Sequence, residues 1–114
     1  MKLALAVMAG GAAGTLARAG MNELLPVQPG VWPWATFCVN LLGAALLGWL
    51  TTASVATRTL WGTGFCGALT TFSTFQLETL KLVDHGSLLV AAGYMGGSVV
   101  AGLGAAWLGE QVAR

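Results

Sequence analysis

The sequence predicts an all-α integral membrane protein with a single four-helix domain that comprises residues 1–114. Hydrophobic residues make up 56% of the chain, charged residues make up 8%, and the mean hydropathy is +0.77. Soluble domains carry about 25% charged residues, so an ordinary soluble fold is excluded. The strict apolar–polar alternation of a membrane β-barrel is absent, and open strands find no backbone partners in lipid.

The charged residues separate four apolar segments, and each segment can hold one crossing of a hydrocarbon core about 30 Å thick. We expect the four helices at about 3–23, 34–53, 60–84 and 87–108. Lys2 and the apolar run after it resemble a secretion signal, but we expect this segment to remain as helix 1. Five tryptophans fall near the predicted helix ends and indicate a membrane-interface belt: Trp32, Trp34, Trp49, Trp61 and Trp107.

Helices 1 and 4 carry small residues at four-residue spacing, which places them on one helix face. Helix 1 has Gly10 and Gly14, and a proline-rich loop with Gly30 follows it. Helix 4 has a longer series of such residues: Gly93, Gly97, Ala101 and Ala105. Because small side chains let helix backbones approach closely in lipid, we expect these two helices to make tight contacts, either within one chain or between chains. Helix 2 holds Cys38 and the third segment holds Cys66, both expected as buried packing residues.

The third segment is rich in Gly, Ser and Thr between Gly67 and Thr74. These residues form helices poorly, and their hydroxyl groups compete for backbone hydrogen bonds. We therefore expect a break near the membrane centre, where freed carbonyl groups can coordinate a small cation. The alternative is an intact helix whose hydroxyl groups bond back to the preceding turn.

The same segment has two phenylalanines, Phe72 and Phe75, three residues apart on one face. Ring edges carry partial positive charge. Beside the hydroxyl groups of Thr71, Ser73 and Thr74 they form a candidate site for a small anion. The alternative is that both rings simply face lipid or the core.

Further polar residues lie in helices 2 and 4. Asn40 follows Thr36 on one face of helix 2, and Tyr94 precedes Ser98 on one face of helix 4. An amide or hydroxyl in lipid either bonds a neighbouring helix or marks an ion pathway, and the sequence leaves both open. Near the end of helix 1, Arg18 either attracts anions to a vestibule or extends to lipid headgroups.

Glu78, Lys81 and Asp84 are three apart in series, which predicts a solvated and internally paired helix end, and His85 is expected in a turn. The chain has no Ser-His-Asp set, no carboxylate pair within a span and no phosphate-binding glycine loop, so we do not expect an enzyme. The formal net charge of +1 and the absence of a basic run argue against a nucleic-acid partner.

The orientation signal is weak. With four crossings, one side of the bilayer receives Lys2, Arg58 and Arg114, and the other receives Arg18 and Lys81. Orientation follows the difference in Lys and Arg, which here is close to zero. The chain is thus compatible with insertion in both orientations and antiparallel pairing, or with a single orientation set by a slight bias.

Three strings together resemble the Fluc (CrcB-type) fluoride channels over the whole chain. They are Gly10-Gly11-Ala12-Ala13-Gly14 followed by Arg18, the string Thr36-Phe37-Cys38-Val39-Asn40-Leu41-Leu42-Gly43, and the string Gly64-Phe65-Cys66-Gly67-Ala68-Leu69-Thr70-Thr71-Phe72-Ser73-Thr74-Phe75. The last string is highly specific. Ala68 departs from the family, which often has a second glycine there, and Gly102 and Ala106 stand where other members have hydroxyl residues.

The resemblance implies an antiparallel, dual-topology homodimer in the cell (inner) membrane that passively conducts fluoride out of the cytoplasm and so reduces its toxicity. It implies a structural Na⁺ at the dimer interface, held by backbone carbonyls that match Gly67 and Thr70. It also implies a fluoride path along residues matching Asn40, Phe72, Phe75, Tyr94 and Ser98. The vestibule arginine matches Arg18, and the acidic residue after the third-segment string matches Glu78.

Two other functions are compatible with parts of the sequence. A proton-coupled exporter of the small multidrug resistance type also has four spans, but it requires a glutamate embedded in helix 1, where no acid precedes Glu23. A non-conducting assembly subunit would need only the small-residue faces.

Overall fold

A computed structural model describes all 114 residues, and its regular structure is entirely helical, as predicted. Helix α1 is Lys2–Leu24, and α2 is Trp34–Trp49, extended by one tighter turn at Leu50–Thr52. Helix α3 covers 55–69 and comprises Val55–Thr57, wide π-type turns over Arg58–Cys66, and Gly67–Leu69. Helices α4 and α5 are Phe72–Asp84 and Leu88–Ala113.

Three of these helices are long and apolar enough to cross a membrane: Lys2–Leu24, Trp34–Thr52 and Leu88–Ala113. They correspond to the helices expected at 3–23, 34–53 and 87–108. The segment expected at 60–84 begins at Val55 instead, so the loop expected at Thr57–Arg58 is helical. The reason is a local cap, because Ser54 Oγ accepts a hydrogen bond from the Thr57 N–H at 3.2 Å.

Helices α1 and α3 pack backbone against backbone at glycines. A Cβ atom at Gly10 would lie 2.1 Å from the Leu60 carbonyl oxygen, and one at Gly14 would lie 2.2 Å from the Phe65 carbonyl oxygen. Gly64 on α3 also lies close to α1, with the Val7 carbonyl oxygen 3.0 Å from its ideal Cβ position. The predicted close contact of helix 1 is therefore made with α3, and no larger residue fits there.

Helices α2 and α5 meet in the same way at a different pair of glycines. A Cβ at Gly48 would lie 2.0 Å from the Ala106 carbonyl oxygen, and one at Gly109 would lie 2.0 Å from the Ala45 carbonyl oxygen. Within the chain, the Gly93 stripe does not make the closest backbone contact of this helix. The close backbone contact with α2 lies nearer the C-terminal end of α5, at Gly109.

A small core connects α4, α5 and the chain between α1 and α2. Leu82, Ala91 and Tyr94 are buried, and partly buried apolar residues pack around them: Trp32, Phe37, Phe75 and Val90. Most other large apolar side chains are exposed, for example Leu89 at 90% and Val112 at 75%. An apolar exterior of this kind requires lipid or another apolar partner around it.

Candidate functional site

The helix of the third segment is interrupted at Thr70–Thr71, within the predicted stretch. Thr70 has ψ 156°, and Thr71 has φ −151° and ψ 120°, so both residues are extended. Asn40 on α2 spans the gap with two hydrogen bonds. Its Oδ1 accepts from the Thr71 N–H at 2.8 Å, and its Nδ2 donates to the Thr71 carbonyl oxygen at 3.2 Å. The alternative of an intact helix is therefore wrong.

The interruption frees two carbonyl groups. In a continuous helix the Thr71 N–H would bond the Gly67 carbonyl, but here it bonds Asn40. The Thr74 N–H would bond the Thr70 carbonyl, but it donates to Thr71 Oγ1 at 3.2 Å and so caps α4. Gly67 is also exposed. The backbone oxygens of Gly67 and Thr70 are thus available as ligands for a hard cation.

Local packing fixes where the helix breaks. Thr70 remains attached to the end of α3, because its N–H and its Oγ1 both donate to the Cys66 carbonyl, at 3.0 and 2.8 Å. Its methyl group fills the notch at Gly43, where a Cβ would lie 2.1 Å from Thr70 Cγ2. Buried Cys66 also faces α2, with its Sγ 3.7 Å from the Gly43 carbonyl oxygen. Together these contacts hold the interruption against the middle of α2.

Phe72 and Phe75 lie in the first turn of α4, directly after the interruption. Their ring centroids are 6.0 Å apart, in agreement with the predicted shared face. Phe72 is 69% exposed, whereas Phe75 is half-buried and lies 4.9 Å from the Tyr94 ring centroid. The two rings therefore lead from the outside of the chain toward Tyr94.

The predicted hydroxyl groups collect at the same place. Thr71 Oγ1 accepts the capping bond and lies 3.5 Å from Ser73 Oγ, while the side chains of Ser73 and Thr74 are exposed. Because Thr71 Oγ1 accepts from the backbone, its own hydrogen remains available to another acceptor. The site thus offers uncharged donors beside ring edges, a combination that suits a small anion.

Glu78 corrects the expectation of a solvated helix end. Its residue surface is only 5% exposed, and Tyr94 Oη, in a residue with no exposed surface, donates to Glu78 Oε1 at 3.4 Å. Lys81 and Asp84 lie at the exposed end of α4, and neither pairs with Glu78. Ser98 Oγ and Glu78 Oε2 are buried without a hydrogen-bond partner. Glu78 and Tyr94 therefore form an incompletely satisfied interior pair, and the Ser98 hydroxyl is buried without a partner one turn further along α5.

Arg18 lies beside the interruption although it is on α1. It lines a cavity of about 320 Å³ together with Thr15, Ala19 and Asn22 of the same helix, Thr36 of α2, and Thr71 and Thr74 at the start of α4. A guanidinium group at the wall of this cavity attracts anions toward the hydroxyl groups of Thr71 and Thr74. The structure therefore brings together Arg18, Asn40 and the third-segment residues, whereas Glu78, Tyr94 and Ser98 form the neighbouring cluster.

Trp32 is a residue that the sequence analysis assigned only to the interface belt. In the structure its ring is half-buried between α2 and α5, and it contacts Phe37 and Tyr94 edge to face at centroid distances of 5.3 and 5.5 Å. The other four tryptophans are exposed, as a belt requires. Nothing in the local sequence around Trp32 distinguishes it from its exposed neighbour Trp34.

The chain is similar to known proteins over nearly its whole length. A family model described as "CrcB-like protein, Camphor Resistance (CrcB)" matches residues 5–110. The chain is 49% identical to "Fluoride-specific ion channel FluC 1" of Mycolicibacterium paratuberculosis, with 96% of this chain and 88% of the relative aligned. It is 43% identical to "Fluoride-specific ion channel FluC" of Stutzerimonas stutzeri, with 100% and 98% aligned, and 41% identical to the protein of that name from Oceanobacillus iheyensis, with 99% and 92% aligned.

Proposed function

The chain belongs to the CrcB-like family, and on that premise we propose that it is a fluoride-selective channel through which fluoride leaves the cytoplasm passively. It is a multi-pass protein of the inner membrane and not an enzyme. Its fluoride path is assigned to the residues around the helix interruption: Asn40, Thr71, Phe72, Ser73, Thr74, Phe75, Tyr94 and Ser98. One observation carries this assignment, namely that Asn40 holds the third segment open at Thr71.

The chemistry of the site fits fluoride because the donors at the interruption itself are neutral, while the charged Arg18 lies at the wall of the cavity beside them. A small anion loses much hydration free energy on leaving water, so it needs several short hydrogen bonds at once. Hydroxyl groups at Thr71, Ser73 and Thr74 and the ring edges of Phe72 and Phe75 supply such contacts without a charged donor bound directly to the ion. Conduction requires this balance of binding and release.

We assign the third segment as a fourth, interrupted crossing. Helix α4 has 13 residues, too few to cross alone, since about 20 are needed. An interrupted span is tolerated in lipid only where its irregular backbone is covered by protein or lines a cavity. The two Asn40 bonds and the cavity at Arg18 supply both conditions here.

The residues at the interruption fit a structural Na⁺. The carbonyl oxygens of Gly67 and Thr70 have lost their helical donors, and backbone oxygen is a suitable ligand for an alkali cation. When bound, the ion would supply a fixed positive charge near the anion path. The chain itself keeps the two carbonyl groups free, because Asn40 accepts the Thr71 N–H and the Thr71 side chain accepts the Thr74 N–H.

We propose that two copies pair antiparallel in a dual-topology homodimer. Gly67 is exposed, so its carbonyl can share a cation with another chain, and Phe72 is 69% exposed beside it. An apolar groove of about 760 Å³ runs along the same side between α4 and α5, with Phe72, Phe75, Met95 and Val99 among its walls. The near-equal distribution of Lys and Arg supports insertion in both orientations.

Arg18 and Glu78 are assigned to the vestibules at the two ends of this path. Arg18 supplies positive charge where an anion would enter the cavity beside Thr71. Glu78 lines a second cavity of about 370 Å³ with Lys81 and His85. A proton-coupled exporter of the small multidrug resistance type is not favoured, because the only carboxylate of α1, Glu23, is exposed near the helix end.

Fluoride efflux from proteoliposomes tests the proposed function. We expect the purified protein to release fluoride, measured with a fluoride electrode, and to release no chloride. Phe75→Ile should slow fluoride efflux sharply, since it removes a ring edge from the path. Phe65→Ile is the matched control, because Phe65 is also half-buried but its ring packs on Trp61 rather than on Phe72 or Tyr94. Equal slowing by both substitutions, or by neither, would contradict the assigned path.

A further inference from the structure

Trp32 reaches the interior because the chain between α1 and α2 folds back on the bundle. Gly30 has φ +72°, which turns the chain, and the Val31 N–H donates to the Gln28 carbonyl at 3.2 Å. A Cβ at Gly30 would lie 2.7 Å from His85 Cδ2, so this turn rests against the α4–α5 connection. Pro33 is buried directly before α2. The backbone on both sides of Trp32 is therefore fixed.

The Gly93–Gly97 stripe of α5 is the surface that receives the indole. A Cβ at Gly97 would lie 3.1 Å from Trp32 Cη2, and a Cβ at Gly93 would lie 3.5 Å from Trp32 Cζ3. Gly93 and Gly97, whose spacing predicts a helix–helix contact, thus form a groove for one aromatic ring. Tyr94, on the same helix, meets the ring edge to face.

The indole N–H of Trp32 has no partner in this position. Its Nε1 is fully buried and makes no hydrogen bond. Indole can only donate, and a buried indole N–H normally finds an acceptor. The rings around it are those of Trp34, Phe37 and Tyr94. Of these only Tyr94 carries an oxygen, and its hydroxyl donates to Glu78 and accepts no hydrogen bond from the indole. A buried donor without an acceptor requires an explanation.

We propose that the indole N–H of Trp32 is a further fluoride donor, located where the aromatic path from Phe75 through Tyr94 reaches the chain between α1 and α2. The inference rests on the proposed fluoride function. Phe75 lies 4.9 Å from Tyr94 and Tyr94 lies 5.5 Å from Trp32, so the three rings form a continuous series. A neutral N–H forms a charge-assisted hydrogen bond to fluoride without adding a positive charge that would retain the ion.

Trp32→Phe tests the donor, because it keeps an aromatic ring in the groove and removes the N–H. We expect fluoride efflux from proteoliposomes to fall about tenfold, the size of effect of one hydrogen bond to a charged group. Trp107→Phe is the matched control, since Trp107 carries the same group on α5, is 59% exposed and makes no ring contact with Trp32. We expect its efflux to equal that of the unsubstituted protein.

Proton NMR of the unsubstituted protein supplies a readout that packing alone would not change. The Trp32 indole N–H resonance, assigned by its absence in Trp32→Phe, should shift on titration with sodium fluoride and stay in place with sodium chloride. Undiminished efflux in Trp32→Phe, or a Trp32 chemical shift that fluoride does not change, would overturn the donor role. Neither result would contradict the proposed fluoride channel. If Trp32→Phe does not fold, the fluoride titration of the unsubstituted protein tests the donor role alone, and the Trp32 resonance is then assigned by sequential connectivity. Absence of fluoride efflux from the unsubstituted protein would overturn the channel function itself.

Discussion

Asn40→Leu removes the side chain that holds the third segment open while keeping its approximate size. Two hydrogen bonds to the Thr71 backbone are lost, from its N–H at 2.8 Å and to its carbonyl at 3.2 Å. Each is worth about 1 kcal/mol, and leaving a buried backbone group unpaired adds about 1–3 kcal/mol. The Thr71 N–H can return to the Gly67 carbonyl, which relieves part of that cost. We therefore expect a net destabilisation of about 2–3 kcal/mol.

Asn40→Leu should impair fluoride conduction more than it impairs folding. When the Thr71 N–H bonds the Gly67 carbonyl, that carbonyl is no longer free to bind a cation. We expect Asn40→Leu to lose fluoride efflux and any dependence of efflux on sodium, measured in proteoliposomes prepared with sodium or with a bulky organic cation. Unfolding in detergent by increasing denaturant measures the stability change. Gln111→Leu is the control, since it makes the same amide-to-alkyl change at an exposed position near the end of α5. An Asn40→Leu protein with normal stability and efflux would refute the reasoning.

The remaining predictions concern glycines, where the structure separates crowded positions from open ones. Gly48→Ala should destabilise the fold markedly in denaturant unfolding, because its Cβ would meet the Ala106 carbonyl oxygen at 2.0 Å, whereas Gly104→Ala, with no atom within 4 Å, should be neutral or slightly stabilising. Equal stabilities would show that α2 and α5 do not touch there. Gly43→Ala should also destabilise, since its Cβ would lie 2.1 Å from Thr70 Cγ2, and Thr70→Ser in the same chain should restore part of the stability by removing that methyl group. Purely additive losses in the double variant would contradict this contact.

The sequence predicted the interruption because composition alone carries that signal. Thr70 and Thr71 lie inside the Gly-, Ser- and Thr-rich stretch, and Asn40 stood out because an amide in lipid needs a partner. The exact break point was beyond sequence reasoning, since it depends on contacts between residues 31 positions apart. Local helix propensity indicates that a segment forms a helix poorly, whereas tertiary contacts determine the residue at which the helix is interrupted.

Buried polar pairs were the least predictable part of the site. The spacing of Glu78, Lys81 and Asp84 is equally compatible with a solvated face, and only the packing of α5 against α4 brings Tyr94 to Glu78. Small-residue stripes have the same ambiguity. The spacing of Gly93 and Gly97 indicates a groove but does not say whether a helix or the Trp32 ring fills it.

The proposed channel requires an interrupted-helix path, lined by neutral donors, that accepts fluoride and rejects chloride. The most direct test is the reversal potential of the reconstituted protein in a planar bilayer with sodium fluoride on one side and sodium chloride on the other. We expect a reversal potential that follows the fluoride gradient alone. A reversal potential near zero, or one that follows chloride or sodium, would contradict it.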